Sequence, residues 1–212
     1  IMQTSETLQK PGGETREFDF TKGDFERIRG LIYKRAGISL NPSKQEMVYS
    51  RLGRRLRANQ LTSFKSYLEL LERGDEAEWE AFTNSLTTNL TAFFREEHHF
   101  PILAELARRH KGEQISIWCC AASTGEEPYT IAMTLAGLQP PVDFNLMASD
   151  ISTRALKTAH AGIYKVEGVA VLPPDTLRTY FEKGLGESAG LVRVRKALRD
   201  LVEYRHLNLL EI

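Results

Sequence analysis

The apolar residues of this 212-residue chain change their period once, and that change limits the fold more than any other feature. From residue 18 to about 94 the spacing is helical throughout. Phe25, Ile28, Leu31 and Ile32 fall at i, i+3, i+6 and i+7, and Gly37 ends the run. "SLNPSKQ" reads as a turn in which Asn41 or Ser43 caps a helix over about 43–58. Phe64, Tyr67, Leu68 and Leu71 form the stripe of a third helix closed by Gly74, and Trp79, Phe82 and Leu86 mark a fourth, extending toward Leu90. From 115 onward the pattern is different. A short apolar run, 115–119, precedes a helical stretch over 126–137. A second run, Phe144 to Ala148, ends in Ser149-Asp150 and precedes a helix over 152–161. "PPDTLRTYF" is a helix with proline at its start, "GLVRVRK" alternates as a half-exposed strand does, and 201–207 fits a further strand. A helical unit therefore precedes an α/β unit, and the strand–helix–strand crossover in the latter requires a parallel sheet.

Bulk properties exclude several classes. Lys+Arg and Asp+Glu both number 28, so no global charge points to nucleic acid or membrane, and any basic surface must be local. No apolar stretch reaches transmembrane length, and the polar, Gly/Pro-bearing residues 1–16 resemble a disordered tail rather than a signal peptide. The two cysteines, Cys119 and Cys120, are adjacent. Neighbours on a strand face opposite ways, so they form neither a disulfide framework nor a metal pair and read as buried thiols of a cytoplasmic protein.

The turn "CCAASTGEEPYTIAM" joins the first strand to its helix, where α/β folds bind nucleotide-like ligands. It holds one glycine, Gly125, no lysine, and two glutamates, Glu126 and Glu127. A helix N-terminus favours anions, but two carboxylates there repel phosphate and suit a cationic ligand. S-adenosyl-L-methionine is such a ligand: a nucleoside with a sulfonium and an ammonium, and no phosphate. Asp150, at the end of the second strand, stands where a carboxylate accepts ribose hydroxyls. The competing explanation is that Glu126 and Glu127 only complement the helix dipole, with Thr124 as N-cap.

Between the units lies "NSLTTNLTAFFREEHHFPIL", which on composition alone reads as a linker helix; His98 and His99 there read as surface or packing residues. Yet "TTNLTAFFREEHHFPIL", "AASTGEEPYTIAMTLA", "ASDISTRALKTAHAGIY" and "GLVRVRK" closely resemble the chemotaxis receptor methyltransferases of CheR type, over nearly the whole chain from Phe18. The resemblance implies S-adenosyl-L-methionine-dependent methylation of glutamate side chains on the cytoplasmic helices of chemoreceptors, with S-adenosyl-L-homocysteine as product and no metal. It implies that Asn89, Thr91, Arg95, Glu127, Asp150, Asn208 and Leu209 contact the cofactor. Family members continue with a strand and further cofactor-binding motifs. The sequence given ends at Ile212, so the resemblance also implies that the C-terminal part of the sheet is absent from it. A glutamate substrate is ionised near neutral pH and needs no general base; Arg95, with its forked donors, is the candidate catalytic residue, holding the incoming carboxylate.

Two further features fit a receptor. On a helical wheel Lys44, Arg51, Arg54 and Arg55 share one arc beside Tyr49, Leu52 and Leu56. Such a face is ordinarily a solvated one. The negatives that would balance this face lie elsewhere, and the resemblance implies that this helix docks on glutamate-rich receptor helices. Nucleic acid is the competing anion, but no aromatic residues interleave the arginines. "KGLGESAGLVRVR" matches a glycine pattern of members that also grip a receptor's C-terminal peptide. Gly184, Gly186 and Gly190 would let backbones approach, the strand 190–196 would offer an edge for the peptide, and Arg193 would bind a carboxylate. Lys183 stands where the peptide-binding members have arginine.

The expected architecture is α/β: a helical receptor-recognition domain over 17–83, then a Rossmann-like methyltransferase domain over 84–212 with an antiparallel β subdomain around 172–200. The protein is expected to act as a monomer, without nucleic acid and without inserting into a membrane. A methyltransferase of another substrate class and a non-catalytic receptor-docking fragment are the alternatives.

Overall fold

A computed structural model describes residues 16–110 and 112–211. The expected disordered tail lies outside the described residues except for Arg16, whose guanidinium pairs with Glu46 and lies over the Tyr49 ring at 4.9 Å. The chain forms two compact units. The first holds the described residues up to Thr88, with the stretch from Asn208 onward; the second runs from Asn89 to Leu207.

The first unit is all helix: α1 (Lys22–Ala36), α2 (Gln45–Ala58), α3 (Phe64–Glu72) and α4 (Glu76–Leu86). Thr21 and Asp24 form a capping box at the start of α1, and Gly37, at φ 68°, supplies the left-handed residue that ends it. Asn41 accepts from the Ser43 amide and caps a 3₁₀ turn, Pro42–Lys44, so α2 begins later than the sequence reading places it. Phe25, Ile28, Ile32, Leu52, Leu56, Phe64, Tyr67, Leu68, Leu71 and Phe82 are essentially inaccessible to solvent and form one core. Fully burying side chains of this size contributes about 1.5–3 kcal/mol each, which is why the helical period is so legible here. α4 stops at Leu86: Thr87 turns extended, and its hydroxyl donates to the Asn84 carbonyl. The helix does not reach Leu90.

The second unit opens with irregular chain over 89–98 in place of a linker helix, with Phe94 and Glu96 at positive φ. Then follow α5 (His99–Arg109), β1 (Gln114–Cys119), α6 (Glu126–Ala136), β2 (Asp143–Asp150) and α7 (Thr153–Ala161). The remaining elements are β3 (Ile163–Lys165), the single turn α8 (Val166–Val169), α9 (Pro174–Tyr180), β4 (Phe181–Lys183), β5 (Leu191–Val194), α10 (Lys196–Arg199) and β6 (Val202–His206). One sheet has the order β1-β2-β6, parallel throughout, with Cys119 opposite Ala148 and Asp150 opposite His206. The other is antiparallel, in the order β3-β5-β4. This small sheet begins earlier in the chain than the subdomain read from sequence, because it takes in β3. β5, expected to be an edge, is its central strand, and the open edges are β3 and β4. Of the two cysteines only Cys119 is buried; Cys120 lies just past the end of β1 and is exposed.

Candidate functional site

The parallel register brings the carboxyl ends of β1 and β2 side by side, and the chain leaves β1 into the turn 122–125. The Ala122 amide donates to the Ser149 carbonyl at 2.9 Å, which ties the turn to β2. The Ser123 amide donates to Asp150 Oδ2 at 2.8 Å, and the Ser152 amide to Asp150 Oδ1 at 2.8 Å. Asp150 is half-buried, and each of its oxygens has one lone pair left beyond these two bonds. It can therefore accept two hydroxyl donors without losing its seat.

Gly125 is the N-cap of α6, at φ 99°. A Cβ there would lie 2.8 Å from Ala159 Cβ and 2.9 Å from both Ala159 Cα and the Tyr164 hydroxyl, so only glycine fits this crossing. Thr124 does not cap the helix; its hydroxyl bonds Glu126 Oε2 at 2.6 Å. No side chain caps α6, so its first amides depend on other partners. Glu127 is exposed, and one of its oxygens lies 3.6 Å from Cys119 Sγ. Burial first, and then Glu127, push the Cys119 thiol up to about 12, so it remains a neutral donor. Ser123, at φ 50°, keeps its hydroxyl buried and without a hydrogen-bond partner among the described residues.

The 89–95 segment is brought to this turn by two contacts. The Phe94 amide donates to Thr130 Oγ1 at 3.2 Å, and that hydroxyl donates to the Glu126 carbonyl at 2.6 Å. Phe93 is buried edge-on against Tyr164, with ring centres 5.0 Å apart. Asn89 and Thr91 are half-buried, and their side chains have no hydrogen bond among the described residues. Arg95 is exposed, with Nη1 donating to the Leu90 carbonyl at 2.8 Å. Asn208 donates its amide to the Arg35 carbonyl at 2.9 Å and to Glu211 at 3.0 Å, both in the first unit, and Leu209 is exposed. Ser123, Tyr164 and Phe93 escaped the sequence reading, because neither a positive φ in a serine nor a tertiary ring contact leaves a periodic trace.

The arginines of the basic arc of α2 have different partners. Arg51 Nη1 donates to the Thr87 carbonyl at 2.8 Å, at the end of α4. Arg55 meets Glu78 in a two-point pair of 3.0 and 2.6 Å, and Tyr67 adds a hydroxyl to the same carboxylate at 2.7 Å. The negative partner of Arg55 is thus a residue of a different helix, α4, in the same unit. Arg54 is exposed and pairs with none of the described residues.

In the small sheet, a Cβ on Gly184 would lie 2.2 Å from the Ser188 carbonyl, and Gly186 and Gly190 are left-handed at φ 58° and 86°. Arg193 is exposed on β5, opposite Ile163 and Glu182, with Nε 3.3 Å from the Ala161 carbonyl. Beside β4 lies an apolar hollow of about 630 Å³, floored by Val169, Leu177, Phe181 and Val192 and rimmed by Lys183 and Arg195.

The donor set of the turn decides which ligand it fits. It offers acidic side chains, an aspartate with spare acceptor capacity and an unpartnered hydroxyl, but neither lysine nor a glycine-rich phosphate cradle. It fits a phosphate-free nucleoside with a cationic end, as in the class of S-adenosyl-L-methionine-dependent methyltransferases. Family comparison agrees. The model of the CheR methyltransferase all-alpha domain matches residues 23–87, and that of the CheR methyltransferase SAM binding domain matches 89–212. Proteins named chemotaxis protein methyltransferase from Salmonella typhimurium and Escherichia coli are each 52% identical to this chain. The matches cover 99% and 98% of it, and 72% of each relative. Chemotaxis protein methyltransferase 2 of Pseudomonas aeruginosa is 48% identical over 92% of the chain and 71% of its own length. The chain belongs to the CheR methyltransferase family. It is a methyltransferase with an S-adenosyl-L-methionine-binding domain, and no helix among the described residues is long and apolar enough to cross a membrane.

Proposed function

We propose that the protein methylates glutamate side chains on the cytoplasmic helices of chemoreceptors, acting in the cytoplasm as a monomer and leaving glutamate methyl esters and S-adenosyl-L-homocysteine. The observation that carries the reading is the acidic, lysine-free turn at the N-terminus of α6, set beside an Asp150 carboxylate that two backbone amides hold in place. When bound, S-adenosyl-L-methionine supplies an electrophilic methyl on its sulfonium. Asp150 accepts the ribose hydroxyls, and Glu127 supplies negative charge toward the cationic end. Asn89 and Thr91, half-buried and without partners among the described residues, add polar contacts. Arg95, exposed and carrying one backbone bond, orients the incoming glutamate carboxylate. That carboxylate is already ionised near neutral pH, well above the ordinary glutamate range, so no residue need remove a proton. The protein's work is alignment and the exclusion of water, which together supply much of a barrier reduction of this kind.

On the receptor side, Arg54 is the α2 arginine best placed to meet acidic helices, since Arg51 and Arg55 are engaged within the unit. A receptor C-terminal peptide would add at the open edge of β4 rather than at β5, with side chains entering the apolar hollow and Lys183, Arg195 and Arg193 meeting its carboxylates. Asp150→Ala tests the cofactor placement: product affinity measured by calorimetry should weaken by about 1–3 kcal/mol, the scale of hydrogen bonds to a charged acceptor. Unchanged affinity removes Asp150 from the site. Arg95→Ala should lower methyl incorporation into receptor membranes while leaving the thermal midpoint near wild type; a wild-type rate would end its assigned role.

A further inference from the structure

We infer that Tyr164 is a positioning residue for the methyl-transfer site, holding the backbone of the 122–125 turn through its hydroxyl from the small antiparallel sheet. The inference rests on the placement of the cofactor at that turn. Tyr164 lies in the middle of β3, opposite Val192, with its neighbours Ile163 and Lys165 exposed and its own side chain buried. Its hydroxyl donates to the Thr124 carbonyl at 2.8 Å, one residue before the α6 N-cap. The same oxygen is one of the three nearest atoms to the space a Cβ on Gly125 would need.

The turn requires such a hold. Ser123 and Gly125 are both left-handed, and the former is a strained conformation for a residue with a side chain. α6 has no side-chain cap of its own. Three outside groups therefore fix the backbone: the Ser149 carbonyl, which accepts from the Ala122 amide, Asp150, which accepts from the Ser123 amide, and Tyr164, which donates to the Thr124 carbonyl. The phenol is itself immobilised. Its ring meets Phe93 edge-on at 5.0 Å, and Phe93 in turn meets Phe181 of β4 at 5.6 Å. Burial raises the Tyr164 pKa far above the ordinary tyrosine range, so the donor proton is always present. Phe93 is also two residues from Arg95. One aromatic cluster thus links the turn, the 89–95 segment and both edge strands of the small sheet.

Tyr164→Phe retains the ring and its packing and removes only the donor. A buried neutral hydrogen bond is worth about 0.5–1.5 kcal/mol net, which converts to roughly two- to twelvefold in affinity if the bond serves the bound turn. The experiment measures calorimetric affinity for S-adenosyl-L-homocysteine, thermal midpoint, and kcat and KM for the methyl donor, in wild type, Tyr164→Phe, Asp150→Ala and Tyr67→Phe. The last variant loses a buried hydroxyl bond to an ionised carboxylate, 2.7 Å to Glu78, in the helical unit, and sets an upper bound on the cost of a purely structural loss. The expected result is a loss of product affinity of about two- to twelvefold and a matching rise in KM for Tyr164→Phe, with kcat near wild type and Tyr67→Phe binding normally. Normal binding by Tyr164→Phe alongside weakened binding by Asp150→Ala overturns the inference and leaves the cofactor placement standing. Normal binding by both overturns the placement and the inference with it. Equal losses in Tyr164→Phe and Tyr67→Phe also overturn it, since affinity would then follow global stability.

Discussion

Glu78 in the helical unit and Asp150 in the α/β unit are both carboxylates held by hydrogen bonds, but their surroundings are of opposite kinds. Glu78 is 5% exposed and is closed off by the Arg55 guanidinium and the Tyr67 hydroxyl. Asp150 is half-buried and meets two backbone amides, with acceptor capacity left over. A carboxylate whose partners are complete belongs to the fold, while one whose partners are incomplete is available to a ligand. The same contrast separates Arg55 from Arg54 on a single helix.

The largest expected effect is at the turn. Gly125→Ala combines backbone strain with a clash against Ala159 and should cost about 4 kcal/mol, read by denaturant unfolding. Wild-type stability in that variant would mean the turn is looser than its geometry, and the contrast with the closed Glu78 site would weaken. Next comes Arg55→Ala, which leaves Glu78 buried beside Tyr67 without its countercharge. About 2–3 kcal/mol should be lost, toward the lower end for a broken buried pair because Arg55 still reaches solvent.

The pH dependence of the same site sharpens the point. Burial alone would raise the Glu78 pKa, but the hydrogen bonds from Arg55 and Tyr67 outweigh it and hold the carboxyl below its ordinary value of about 4.5. The unfolded chain therefore takes up this proton at higher pH than the folded one. The stability Glu78 contributes is fully present above about 4.5 and is lost as pH falls through the lower folded value. Glu78→Gln should show a shallower acid limb in midpoint against pH; an unchanged slope would mean the pair does not govern acid stability.

Arg54→Glu should leave stability within about 0.5 kcal/mol, as exposed substitutions do. It should lower receptor methylation severalfold and flatten its dependence on salt, since rim charges act on encounter and are screened over about 10 Å at 0.1 M. Salt curves parallel to wild type at equal rates would reduce the arginine to a solubilising role. The smallest effect is expected from Ser123→Ala, which removes a buried hydroxyl with no partner among the described residues. Stability should hold or rise by a few tenths of a kcal/mol while product affinity falls. A fall in stability with normal affinity would place Ser123 on the side of Glu78, as a structural group.

The sequence by itself determined the two-unit organisation, the two parallel strands over 115–119 and 144–148, and the acidic turn. Period and turn chemistry are local properties, and burial of one face makes them visible. It also carried the family, through the motifs that contain Arg95, Glu127 and Asp150. Tertiary structure alone decided how the charges divide. Arg51, Arg54 and Arg55 are indistinguishable on a helical wheel, and their roles separate only because α4 places the Thr87 carbonyl beside the first and the Glu78 carboxylate beside the last. It likewise decided that β5 is central rather than an edge. The pairing of Tyr164 with Val192 joins residues far apart in the chain, and strand order is set by such long-range contacts rather than by alternation within a strand.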